Sequence, residues 1–386
     1  MKEVLSKREK WFRFVDGEEV EPMVSPLCDD WSLQEPYQWP FDEPEPFPPG
    51  DPYHYISQQL AMAEVCGWDG GFLAEADIKP RDPKLEPEVL TTKIDKGERR
   101  EYRLPTPYGE LTCVEEQREH DSVSLAAQAF ATVVIKPWIM DEGDFPKALW
   151  FTEKLMDFDE GWLISEGRRI GTAVGDAGVL GVYFHAPIAH LMLNRDWHYH
   201  IADYPKLFKK LHRATFDLYY AQLDALREAG FDYLFYMVGG TEWLSPRFFC
   251  EWVIENAQRL FERWNDLGGF VLWHHCGLQK PLMDQGIYNE IKPDIMESFS
   301  EPPEGDMPSL RWARERLDPE IATKGNIRGP LLLNGTVEEV RAEVRRVRCE
   351  TEGYRHIVGL ADDVLENTPL ENCLALVDEA RKLESS

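Results

Sequence analysis

The sequence predicts an α/β protein: a single (β/α)8 TIM barrel with an N-terminal extension and an inserted β-hairpin region. From residue 179 onward, short apolar runs alternate with longer amphipathic stretches, the pattern that builds a parallel sheet flanked by helices. Six such units are read there, and two candidate strands nearer the N-terminus bring the count to eight, the number that closes a barrel. Between the two groups, residues 98–104 and 109–116 alternate polar and apolar around PTPYGE, a hairpin signal foreign to a parallel barrel. A chain of 386 residues accommodates one large barrel with insertions, so residues 1–386 read as one domain.

The elements follow in order. MKEVLSKREKWFRF opens as a short amphipathic helix, without the apolar core and small-residue cleavage site of a signal peptide. VEPMVSP (20–26) is the first candidate strand. The Pro- and Trp-rich stretch 27–55, with Trp31 and Trp39, reads as an ordered cover rather than a flexible linker. Residues 55–65 have helical character, and GGFLAEA (70–76) is the second strand. The insertion spans 80–170 and carries the hairpin and a helical segment over 145–156. Residues 179–185 form the third strand and 206–229 a long amphipathic helix. The fourth strand, 233–237, precedes a helix opened by Ser245 and Pro246 and running to about 265, with proline at a favoured early position. GFVLWHHCG (269–277) is a short buried strand between glycines, followed by a helix near 279–290. A strand over 294–297, a helix near 308–316 and a strand over 321–324 come next. Thr336 caps the helix VEEVRAEVRRV, and the chain finishes with strand 355–358 and a Pro369-started helix to about 382.

The totals exclude several classes. A hydrophobic content of 43% supports a sizeable core, and no apolar stretch approaches the roughly 18–20 residues that span a bilayer. A net charge of -28 opposes nucleic-acid binding, which depends on Lys and Arg neutralising phosphates. Cysteines 28, 66, 113, 250, 276, 349 and 373 are scattered, odd in number and without a CxxC pair, which points to a reducing cytoplasm rather than a disulfide framework.

In a (β/α)8 barrel, chemistry sits in the loops that follow the strands. Alternation sends His274 and Cys276 to one side of their strand and His275 to the other. An imidazole and a thiol converging at a strand end suit zinc; the plainer alternative is a satisfied core histidine beside a buried cysteine. The other strand ends supply His185, Glu242, Glu297, Asn326 with Arg328, and Asp362 with Asp363. Histidine, thiol and carboxylates at one barrel mouth are what a metal or acid/base site requires. With 70 acidic residues, any single carboxylate can equally be a solvated loop charge.

The ordered segments TEWLSPRFF, GGFVLWHHCG, IMESFSEPPEGD, KGNIRGPLLLNGTVEEVRAEV and GLADDVLENTPLENCLALVDEARKL resemble the uroporphyrinogen decarboxylase superfamily, which includes cobalamin-dependent methyltransferases. They span residues 231–382, and RFVDGEEVEPMVSP resembles the opening of the family. The resemblance implies two chemistries. True decarboxylases hold an acidic tetrapyrrole with an arginine-containing segment near the N-terminus, where this chain reads PLCDDWSLQE. The methyltransferase branch carries zinc on an H-x-C pair after strand five and a cysteine after the last strand. His274 and Cys276 match the pair, but the last position falls on Asp362. Glu242 lies where this branch often has an acidic residue, and Arg328 where the family usually has one.

The resemblance therefore implies a zinc-dependent methyltransferase with His274, Cys276 and Asp362 as ligands. It moves a methyl group between a small methylated substrate, such as a methoxylated aromatic, and a corrinoid that is free or carried by a separate protein. Glu242, Asp363 and His185 are the expected catalytic groups; His275, Glu297, Asn326, Arg328 and Trp31 are expected to bind substrate. One alternative is a metal-free decarboxylase-like lyase that holds a carboxylate substrate in a basic pocket including Arg328. The other is a non-catalytic barrel that binds a corrinoid or partner. No nucleic-acid or membrane partner is expected, and a homodimer is left open.

Overall fold

The computed structural model describes residues 5–28, 46–48, 50–76, 78–95, 97–118, 132–187, 197–238, 244–365 and 367–382. Twelve strands occur among them: β1 (Met23–Val24), β2 (Gly70–Ala74), β3 (Glu88–Ile94), β4 (Gly97–Thr106), β5 (Gly109–Arg118), β6 (Thr132–Lys136), β7 (Gly178–His185), β8 (Tyr233–Met237), β9 (Phe270–His275), β10 (Ile295–Ser298), β11 (Ala322–Ile327) and β12 (His356–Leu360). On sequence, residues 1–386 read as one domain; the packing groups the described residues into two compact units. The first draws on Met1–Ala76, Glu166–His185 and Arg227–Ser386, the second on Asp77–Ser165 and Ala186–Leu226. The second thus reaches beyond the insertion expected over 80–170.

In the first unit, eight strands form a parallel sheet curled as a TIM barrel, in the order β1-β12-β11-β10-β9-β8-β7-β2. The expected barrel class is present, with one departure at its seam. Among the described residues no ladder joins β1 to β2. Asp69 joins them instead: its amide donates to the Val24 carbonyl at 2.7 Å, and its carboxylate accepts from the Val24 amide and from Lys10 Nζ, each at 2.9 Å. The first strand is accordingly two residues long rather than the seven expected over 20–26.

Strands covered on both faces read as unbroken apolar runs, and β8 (YLFYM) and the first four residues of β9 (FVLW) do so. Their inward positions, Tyr233, Phe235, Phe270 and Leu272, meet Ile295, Ala322 and Ile357 in one core. Helix α1 (Lys7–Val15), with a Ser6–Glu9 capping box, buries Trp11 and Phe14 in that core. Trp11 stacks on Phe270, the first residue of β9, with ring centroids 6.0 Å apart. The helix therefore closes the N-terminal end of the barrel and leaves the other end for chemistry.

The outward positions Tyr236 and Trp273 pack with Phe261 of the helix Glu255–Asp266, at centroid distances of 4.9 and 6.0 Å. The helix expected after Ser245 is present but includes a π-helical stretch, Cys250–Ile254. The helix expected near 279–290 is two, Lys280–Asp284 and Ile287–Ile291, parted at Gly286, whose φ of +68° favours glycine. Thr336 caps Val337–Glu350 in a capping box with Glu339, as its spacing predicts.

In the second unit the expected hairpin is the centre of a four-stranded antiparallel sheet, β3-β4-β5-β6. Leu104, Leu111 and Cys113 are buried on it. Residues 29–45 of the expected cover, including Trp31 and Trp39, lie outside the described residues. At the end of that stretch, Phe47 and Tyr53 are buried, and the Arg169 guanidinium lies 5.0 and 4.9 Å from their rings. No helix among the described residues is long and apolar enough to cross a membrane.

Candidate active site

Parallel register places one row of side chains across the barrel mouth. Glu297 on β10 has His274 of β9 and Lys324 of β11 as its Cα partners. The row continues from His274 to Met237 on β8 and from Met237 to His185 on β7. These positions follow inward-facing core residues by two along their strands, so they share the inward face.

Three members of the row are bonded to one another. His274 Nδ1 lies 2.6 Å from Glu297 Oε1, and Lys324 Nζ donates to Glu297 Oε2. All three residues are buried. A carboxylate can only accept, so Nδ1 carries the hydrogen in this contact. Nε2 is thereby turned to the mouth, where it lies 3.8 Å from Asp362 Oδ1. Burial works to lower the His274 pKa, but hydrogen bonds to Cys276 and Glu297 and the charges of both outweigh it and hold it well above the ordinary value. Burial works to raise Glu297, but the Lys324 charge and the hydrogen bond and charge of His274 outweigh it and keep its pKa below the usual range.

The three expected ligands come together in part. Cys276 follows His274 by two residues and shifts its titration, and Asp362, 62% exposed, stands beside His274 on the loop after β12. Among the described residues, no three His, Cys, Asp or Glu side chains are grouped so that they could hold a metal ion. The donor set nevertheless fits zinc in its chemistry: an imidazole with Nε2 facing the mouth, a thiol and a carboxylate. Glu242 falls within 239–243 and Trp31 within 29–45, both outside the described residues. Of the neighbouring aspartates, Asp362 faces His274, whereas Asp363 Oδ1 accepts from the Val364 amide at 2.7 Å and its backbone bridges Leu27.

The remaining candidates divide. His185 ends β7, exposed on the same row as His274. His275 points out of the barrel: its Nδ1 lies 2.6 Å from Tyr288 Oη, and its ring stacks on Phe249 with centroids 6.0 Å apart. Asn326 is buried in a network outside the row. Its amide donates to the Phe299 carbonyl and Glu301, and its oxygen accepts from Arg346 at 3.0 Å. Arg328 is held by Glu304 through contacts of 3.1 and 2.7 Å. His275 thus points away from the mouth, whereas Asn326 and Arg328 stand at the C-terminal end of β11, engaged with Arg346, Glu301 and Glu304. Lys324 went unnoticed on sequence. Its signal was a lysine two residues from Ala322 within a recognised strand, a register that points its ammonium inward.

A family model described as uroporphyrinogen decarboxylase (URO-D) matches residues 190–383, just over half of the chain. Among solved structures, a methyltransferase from Methanosarcina mazei is similar with a TM-score of 0.61 and 14% identity, over 98% of each chain. A B12-independent methionine synthase from Shewanella sp. W3-18-1, in complex with selenomethionine, is similar with a TM-score of 0.50 and 12% identity. That match covers 94% of this chain and 98% of the other. No curated protein matches. At these identities the structural likeness is one of fold.

Proposed function

The chain belongs to the uroporphyrinogen decarboxylase (URO-D) family, and within it we propose that this protein is a zinc-dependent methyltransferase working with a corrinoid. The observation that carries the reading is the orientation of His274. Glu297 occupies Nδ1, so Nε2 faces Asp362 in the company of the Cys276 thiol. His274, Cys276 and Asp362 would hold the metal, with Glu242 as a further candidate. When bound, zinc supplies Lewis acidity toward an ether oxygen or holds the thiol of a methyl-transfer partner.

The chain's own residues do the rest. A methyl ether leaves as a basic alkoxide or phenoxide, so its oxygen needs a proton as the methyl departs to the corrinoid. Asp363 and Glu242 are the residues assigned to hold that proton, and His185 orients the substrate from the adjoining strands. Replacing the cysteine of the family pattern by Asp362 makes the donor set harder, which favours oxygen over sulfur in the substrate. Small methoxylated aromatics are therefore the proposed donors. The lyase alternative needs a cation for a substrate carboxylate, and Arg328 and Lys324 already hold Glu304 and Glu297.

The test is methyl transfer itself. Zinc-loaded protein is mixed with a panel of methoxylated aromatics and chemically reduced cobalamin, and the absorption change to methylcobalamin is followed. Turnover that disappears in His274→Ala supports the reading. Carbon dioxide release from a carboxylated substrate without cobalamin would replace it by the lyase.

A further inference from the structure

The least expected group in the barrel is the Lys324 ammonium. Lys324 and Glu297 side chains are 5% and 3% exposed, in a layer that rests directly on Leu272, Ile295 and Ala322. Apolar residues of similar volume at both positions would be no less stable, because desolvating two charges offsets their attraction. The register explains what the lysine can do. Glu297 stands between His274 and Lys324 as the Cα partner of both, and each of its oxygens serves one of them.

We propose that Lys324 is the positioning residue of this site: by holding Oε2 of Glu297 it keeps Oε1 on His274 Nδ1, and so fixes which imidazole nitrogen faces the mouth. A carboxylate held at one oxygen only can rotate about its last torsion and leave Nδ1. Held at both, it cannot. The lysine stem packs against β12 at Gly359, where an added Cβ would lie 3.5 Å from Lys324 Cγ, an ordinary contact, and a tight 3.1 Å from the Ser25 carbonyl. Lys324 acts through Glu297, to which its ammonium is bonded. The inference rests on the reading of His274 as a metal ligand.

The test is a double-mutant cycle read as zinc affinity, by competition with a chromophoric chelator, on full-length wild type, Lys324→Met, Glu297→Gln and the double variant. Outer partners of metal ligands typically contribute about 10–100-fold in affinity, and a loss of that size is expected in each single variant. Because Lys324 acts through Glu297, the double variant loses no more than Glu297→Gln alone. A purely structural lysine would give additive losses, and additivity overturns the proposal, as does wild-type affinity in Lys324→Met. Should Lys324→Met alone fail to fold, Glu297→Gln and the double variant, which has lost both charges, are compared: equal affinities support the proposal and a further loss overturns it. Wild type that takes up no zinc overturns the metal reading and this inference with it, an outcome distinct from a zinc-binding wild type whose affinity is indifferent to Lys324.

Discussion

His274 and His275 are neighbours with opposite fates, and the difference is one residue of strand alternation. His274 faces a carboxylate, a thiol and the barrel mouth, while His275 faces Tyr288 and Phe249 among the helices. This predicts divergent variants. His275→Phe keeps the zinc stoichiometry of the wild type but loses roughly 1–3 kcal/mol of stability, since the Tyr288 hydroxyl is left unpaired. Chemical denaturation beside metal analysis checks both halves. Much of this residue pattern was legible, because an H-x-C pair on an alternating strand fixes its own side. Asn326 and Arg328 were not, because their partners, Arg346, Glu301 and Glu304, come from distant parts of the chain.

The residue scale also carries a pH dependence. Burial pushes His356 down to about 3, outweighing the pull of the Gly325 carbonyl. Burial and the charge of His274 push His275 down to about 3 as well. Both rings stay neutral in the folded protein while the unfolded chain takes up protons near the ordinary histidine value. The unfolded state binds more protons between those limits, so stability rises with pH across the window. Acidification from about pH 6.5 toward 3 is expected to cost up to about 1.4 kcal/mol per pH unit for each histidine. Denaturation midpoints measured through that range check it, and a flat profile would contradict it.

At the scale of elements, α1 and Asp69 stand out because neither belongs to the repeating βα pattern. Helix α1 closes the barrel with Trp11, which is 1% exposed and stacked on Phe270. Trp11→Ala is expected to cost about 3–5 kcal/mol through lost burial and the cavity left behind, measured as a shift in denaturation midpoint with unchanged slope. Asp69 bonds the short β1 to the start of β2 and holds Lys10 from α1. Asp69→Ala leaves the buried Val24 amide without its acceptor and the partly buried Lys10 ammonium without that carboxylate, and about 1–3 kcal/mol of destabilisation is expected. The helices and strands after residue 178 were readable because apolar periodicity is strong where both faces of a sheet are covered. The edge strand β3 was not, since it is almost wholly exposed and has no core face to impose alternation. The π-helical stretch Cys250–Ile254 leaves no mark in the periodicity either.

At the scale of the whole molecule, a barrel plugged at one end by an aromatic helix carries its ionisable row at the other. Phe235 and Leu272 lie beneath His274 and Glu297, with the Phe235 and His274 ring centroids 5.0 Å apart. Apolar layers below the row deny its charges water from that side, which strengthens the bonds among His274, Glu297 and Lys324. One fold can host different reactions, so the reaction is decided by the donors on that row and the loops above it. Zinc content decides most directly whether those donors form a metal site. Purified protein, reconstituted with zinc and freed of excess, is subjected to elemental analysis beside a His274→Ala, Cys276→Ser double variant whose fold is verified by circular dichroism. About one zinc per chain in the wild type and none in the variant is the predicted result; wild type without zinc after reconstitution, or a variant that keeps it, would contradict the account.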